Sequence, residues 1–216
     1  MLNLFDFLII GLFIMIIISL YGILKPENNK TVGFSDTRPA KRRVIKKIMK
    51  IKDKKALDAV IEQIAKEHIE HNVIALTKLD KEFEPQSFME NSKKIFENIV
   101  KSFETKDRLK LKSLVSEKVY GIFDDNIKQF EKNGQTLDTD IVRFKKIVIT
   151  DVNVENKFAK IIVEFTTEQT TVLKDKSGKI IKGDDNHLET IKDVWIFTRD
   201  YHKRGSNWLL SETVEV

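Results

Sequence analysis

A chain of 216 residues has room for one ordinary domain with appendages. Hydrophobic residues at 41% and charged residues at 33% exclude a disordered tail and a polytopic membrane protein, and 8 glycines with 3 prolines exclude collagen-like and proline-rich chains. Cysteine is absent, so disulfide scaffolds, cysteine zinc sites and thiol catalysis are excluded, and the net charge of +5 points toward nucleic acid only until it is divided along the chain.

Residues 1–24 carry −1, residues 25–55 carry +9 and residues 56–216 carry −3. The body is mildly acidic and the positive charge forms a collar near the N-terminus. Ahead of that collar, Phe7 to Leu24 reads FLIIGLFIMIIISLYGIL without a charge. As a helix this run is about 27 Å long, enough for a thin bilayer core, and a helix in lipid satisfies its own backbone. Tyr21 suits the headgroup boundary. No Lys or Arg precedes Lys25, and SLYGILKPE holds no small-residue cleavage pair, which argues against a cleaved signal. The sequence therefore predicts a transmembrane anchor over 1–24. Because the nearby positive charge follows the span, the expected topology has the N-terminus outside and the body in the cytoplasm of a single-pass inner-membrane protein.

Residues 25–40, KPENNKTVGFSDTRPA, read as a flexible linker. From Lys41 a basic helix begins, with Val44, Ile45, Ile48, Met49 and Ile51 near one face. Lys41, Arg42, Arg43, Lys46, Lys47 and Lys50 are its candidate membrane-surface residues, each contributing on the order of 1 kcal/mol toward anionic lipid. This segment holds no aromatic between Lys41 and Lys55 to stack on a base, so direct nucleic-acid binding is not expected. Helical spacing continues through Leu57, Val60, Ile61, Ile64, Ile69, Val73, Ile74 and Leu76 to about Asp80, closing a segment over 41–79.

The domain proper is expected over 80–216. Phe88, Ile95, Phe96, Ile99 and Phe103 form an aromatic stripe on a second helix. TKDRLKLKSLVS is a short helix, and Ser116 caps a further one that carries Val119, Tyr120, Phe123, Ile127 and Phe130 and stops at Asn133–Gly134. The period then changes to two. DIVRFKKIVITDVNV, FAKIIVEFTTEQTTVL, DVWIFTRDY and NWLLSETVEV are β-branched runs, with DKSG and RGSN as turns. Helices first and antiparallel strands second predict an α+β fold, with helices packed on one face of a curved sheet. Phe96, Phe103, Tyr120, Phe123, Phe144, Phe165, Trp195, Phe197 and Trp208 point inward in that scheme and are the candidate lining of an apolar pocket.

Catalytic and metal-binding patterns are thin. His68 and His71 stand one helical turn apart, but neither zinc-protease order of His and Glu is present and no third ligand can be named. An enzyme would need a pocket carboxyl of raised pKa facing a donor; Tyr120 and Glu164 are the nearest candidates, with strand parity placing Glu164 opposite to Phe165. The expectation is a non-enzyme without cofactor or metal.

The ordered segments LDKEFEPQSF, IFENIVKSFETKDRLKLKSLVSEKVYGIFDDNIKQFEKNG, VEFTTEQTTVLKDKSGKIIKGD and DVWIFTRDYHKRGSNWLLSET, running from Leu79 to Thr213, resemble the Tim44-like domain family. The resemblance implies a cone-shaped α+β fold like that of nuclear transport factor two, with a large apolar pocket. It also implies a tethering role at an inner membrane, in the manner of the mitochondrial import motor and of membrane-anchored alphaproteobacterial relatives. Partners of that kind are a translocase, a DnaK-type chaperone or a ribosome, besides the membrane and its anionic lipid. The alternative is a type IV secretion inner-membrane component, which has the same single span but a periplasmic domain.

Overall fold

The computed structural model describes residues 54–214. The expected span, the linker and the six membrane-surface residues Lys41 to Lys50 lie outside the described residues. Among those described, no helix is long and apolar enough to cross a membrane.

Four helices precede four strands. Helix α1 (Lys54–Leu79) is 26 residues long, about 39 Å of rod. Its second half packs on the domain: Leu76 is fully buried and Ile69 and Val73 pack against the core, whereas in the first half Ile61 is 50% exposed. The rod ends where Asp80 N–H donates to the Leu76 carbonyl at 2.7 Å and Phe83 N–H turns back to the Asp80 carbonyl at 3.1 Å. Helix α2 (Pro85–Glu104) starts at once. Pro85 sits in its first turn, where no N–H is needed, and Glu84 caps it by accepting from the N–H groups of Gln86 and Ser87.

Helix α3 (Arg108–Leu114) is capped by Asp107, and helix α4 (Glu117–Asn133) by Ser116, as its sequence predicts. Gly134 closes α4 in the left-handed region at φ 64°, and Gln135 N–H returns to the Phe130 carbonyl. The Arg108 guanidinium clamps α3 to α4, bonding Asp124 at 2.7 Å and both oxygens of Glu131 at 2.9 and 3.0 Å.

Strands β1 (Thr136–Glu155), β2 (Phe158–Lys174), β3 (Ile180–Asp200) and β4 (Leu209–Val214) form one antiparallel meander in that spatial order. The first hairpin turns on Asn156 and Lys157, both at positive φ, in the two-residue geometry that matches strand twist. At the second, Asp175 Oδ1 accepts from the N–H groups of Ser177 and Lys179. Three register shifts in β1, at 141/143, 144/146 and 149/151, bend the sheet, because each extra residue kinks the strand that carries it.

Strand β3 runs longer than its sequence signal, which starts at Asp193. Residues 180–192 are mostly polar, yet outside a break at 185–188 they pair with β2 as far as Lys174. Gly183 makes this possible: at φ 87° it lies where a Cβ would stand 2.1 Å from the Thr171 carbonyl oxygen.

The helices cover the bent face of the sheet through an aromatic core. Phe96 stacks on Trp195 at 4.4 Å between ring centroids and meets Phe165 at 5.1 Å and Phe144 at 5.4 Å. Phe88 sets its edge on Phe197 at 5.8 Å. The Phe96→Ala variant is expected to lose about 3–5 kcal/mol of stability, read as a fall in the midpoint of urea unfolding followed by tryptophan fluorescence.

Candidate functional site

Of the nine residues expected to line a pocket, six lie in the buried core and Tyr120, Phe144 and Trp208 are partly buried against it. Phe96, Phe103, Phe123, Phe165, Trp195 and Phe197 are each no more than 2% exposed. A side chain that a water-sized probe does not touch bounds no space for a ligand. Phe96, Phe144, Phe165, Trp195 and Phe197 form one cluster of touching rings. Phe103 and Phe123 form a second, 5.5 Å apart and joined by Phe130. Tyr120 lies apart under the Lys112 ammonium, 5.6 Å from it. The rings of the two clusters are in mutual contact, as in a packed core. Of the nine, Trp208 lines a groove.

That groove, of about 210 Å³, opens at the joint between α1 and α2. Asp80, Glu82, Phe83 and Glu84 from the joint face Arg199 at the end of β3 and Trp208 ahead of β4, with Phe88 and Ile95 of α2 beneath. Asp80 is its anchor. One carboxylate oxygen, Oδ2, accepts from Arg199 Nη1 at 3.1 Å and from the Tyr201 hydroxyl at 2.9 Å. The guanidinium also lies over the Tyr201 ring at 4.6 Å. Burial, then the bond to Asp80, push the Tyr201 hydroxyl well above its ordinary pKa, so it stays a donor.

The second carboxylate, Glu84, is held below its usual range by the N–H groups of Ser87 and Gln86 and remains ionised. The third, Glu82, has no side-chain partner among the described residues. Aromatic rings make the floor: Trp208 meets Phe88 at 5.0 Å and Phe83 at 6.3 Å.

Sequence reading missed all of these except Trp208. The joint reads as a short connection, KEFEPQ, and nothing local links Asp80 to partners 119 and 121 residues away.

A second polar feature lies on the bent inner face. Asp193 stands directly across from Phe165 and two residues from Trp195, so it shares their face. Its surface is half-buried, its carboxyl has no partner among the described residues, and desolvation raises its pKa to about 7. Nearby in register, Trp195 Nε1 and Thr213 Oγ1 are buried without a hydrogen bond among the described residues.

The enzyme candidates named from sequence do not meet. Glu164 pairs with Lys146 at 2.7 Å on the face away from Phe165, as parity predicts, and Tyr120 is on α4 beside Lys112. His68 Nε2 contacts Asp151 at 3.3 Å, fastening α1 to β1. Among the described residues no cluster of three His, Asp or Glu is placed to hold a metal ion.

Comparison with known proteins gives the chain a context. The family model for the Tim44-like domain matches residues 70–215. The Caenorhabditis elegans protein named "Probable mitochondrial import inner membrane translocase subunit tin-44" is 26% identical over 125 residues, which is 57% of this chain and 29% of that protein. The chain thus spans less than a third of that relative's length.

Among solved structures, the intermembrane space region of the chloroplast protein ARC6 aligns over 61% of this chain and 95% of its own, with a TM-score of 0.41 and 12% identity. A conserved protein from Planctomyces limnophilus aligns over 57% of this chain and 94% of its own, with a TM-score of 0.33 and 14% identity.

The inner-face carboxyl makes stability depend on pH. The folded pKa of Asp193 is raised above its unfolded value of 3.8, so the folded state favours the protonated form. Its stabilisation is complete below about pH 4 and is lost as the pH rises through about 7. Asp193→Asn is expected to flatten this part of the pH profile and to raise stability at pH 8 by roughly 2–4 kcal/mol, measured by urea unfolding at pH 5 and pH 8.

Proposed function

The chain belongs to the Tim44-like domain family, and from that premise we propose that it is a membrane-anchored scaffold that serves protein translocation. The observation that carries this reading is the family match over residues 70–215, which takes in most of the described fold, from the second half of α1 to the end of β4. The named relative is a probable import translocase subunit of the mitochondrial inner membrane, which supports a role beside a translocase.

Here the domain would be held by its own span over residues 7–24, with the N-terminus outside and the domain on the cytoplasmic side of a bacterial inner membrane. The basic residues Lys41 to Lys50 would draw the linker onto anionic lipid. Between that collar and the domain stands α1, which packs on the core through Ile69, Val73 and Leu76 near its C-terminal end. Its length supports a division of labour in which one end meets the membrane and the other presents a folded surface to a translocase, chaperone or ribosome. The domain acts by binding, with no catalytic step assigned.

Two measurements test this reading. A phosphatase reporter, active only after export, fused behind Val216 is expected to be inactive, while a cytoplasmic fluorescent reporter at the same place is bright. Crosslinking from intact membranes is expected to capture translocation, chaperone or ribosomal components. An active phosphatase would overturn the topology and favour a periplasmic secretion component, and capture lacking all three classes would overturn the scaffold.

A further inference from the structure

Where β3 meets β4, three polar side chains share the inner face of the sheet. Trp195 and Thr213 stand directly opposite each other in the ladder, and Asp193 lies two residues before Trp195 on the same face. Trp195 is 0% exposed. Among the described residues its Nε1–H has no hydrogen bond, and neither has the buried Thr213 Oγ1 or the Asp193 carboxyl. The indole is not free to turn toward another acceptor, because its ring is stacked on Phe96 at 4.4 Å and edged by Phe165 at 5.6 Å. Buried polar groups of folded proteins are almost always hydrogen-bonded, so three such groups side by side call for a common partner.

Spacing sets the size of that partner. Opposed residues on antiparallel strands hold their Cβ atoms about 4.5–5.5 Å apart, and same-face neighbours along a strand lie about 6–7 Å apart. A water molecule making two hydrogen bonds of about 2.8 Å joins atoms about 5 Å apart. The donor and acceptor pattern agrees. The indole N–H donates, the hydroxyl accepts, and a carboxyl oxygen accepts whether or not the carboxyl carries its proton. A cation would meet the indole N–H and an anion would meet the carboxyl, whereas water accepts from the first and donates to the others.

We propose that the β3–β4 seam binds one buried, long-lived water molecule, which accepts from Trp195 Nε1–H and donates to Thr213 Oγ1 and to an Asp193 carboxyl oxygen. The water fastens the second half of β4 to the core. The first half is already tied, through Ser116 N–H to the Leu210 carbonyl at 2.8 Å and through Ser211 Oγ to the Ile196 carbonyl at 3.0 Å. This inference does not depend on the scaffold reading.

The test uses the full-length chain in detergent micelles. The chain has two tryptophans, so Trp195 is the reporter and the Trp208 indole resonance is the control for folding. The indole proton of Trp195 is expected to show cross-peaks to water of opposite sign in NOESY and ROESY spectra, the signature of a water that tumbles with the protein. The cross-peak is expected to persist in Thr213→Val and in Asp193→Asn, each of which leaves the water an acceptor. Neither a hydroxyl proton nor a carboxyl proton can then be its source. In the double variant Asp193→Leu/Thr213→Val it is expected to vanish, and oxygen-17 relaxation dispersion is expected to fall by about one long-lived water per chain.

A wild-type Trp195 indole without a water cross-peak would overturn the site. So would equal oxygen-17 dispersion in the wild type and the folded double variant. If the double variant loses the Trp208 resonance and so fails as a folded comparison, the single variants decide. Loss of the cross-peak in Thr213→Val would assign it to the hydroxyl proton, loss in Asp193→Asn would assign it to the carboxyl proton, and either would overturn the water.

Discussion

The stack of Phe96 on Trp195 is the contact around which the domain is arranged. It joins the middle of the long amphipathic helix to the third strand of the sheet, and the rings of Phe144 and Phe165 close on it from the first two strands. A flat sheet would not bring three strands to one helical residue. The bulges of β1 supply the bend, and the aromatic stripe of α2 occupies the hollow that the bend creates. Everything else in the fold hangs from this arrangement: α4 packs through Phe103 and Phe123, and the joint of α1 and α2 is drawn down onto Phe197 through Phe88.

The rings of the core pack on one another, and the groove lies at its margin. The joint between the first two helices is where the chain reverses, so backbone caps, ion pairs and aromatic edges are all exposed to the same small volume. Asp80 is central there. Its carboxylate draws in the guanidinium and the phenol from the far end of β3, and the groove walls are consequently two parts of the chain that are remote in sequence and rigid in space. On the inner face Asp193 has no counter-charge among the described residues, and desolvation raises its pKa.

Much of this fold was legible in the sequence, and the illegible parts have physical reasons. The Ser116 cap, the Asn133–Gly134 stop and the turn at Asp175 are local devices, so they read directly from neighbouring residues. The switch from period 3.6 to period 2 after Gly134 identified the α+β class for the same reason. The polar half of β3 did not read as a strand, because its pairing depends on the partner strand and on Gly183 rather than on β-branched residues. Inward-facing aromatics also cannot reveal from sequence whether they bound a space or fill it, since both need the same residue types at the same spacing. Only the ring distances separate the two. The groove was hidden for another reason, as its two walls are more than a hundred residues apart.

The order of elements along the chain also sets a schedule. Phe96 leaves the ribosome 99 residues before Trp195, the ring on which it finally stacks. At about 5–20 residues per second, the aromatic stripe of α2 waits roughly 5–20 s before its partner strand exists. During that interval Phe88, Phe96 and Phe103 have no sheet to cover them. A domain built with its helices first and its sheet last therefore spends its synthesis as an exposed apolar surface, and its own biogenesis makes demands on the machinery that shelters nascent chains.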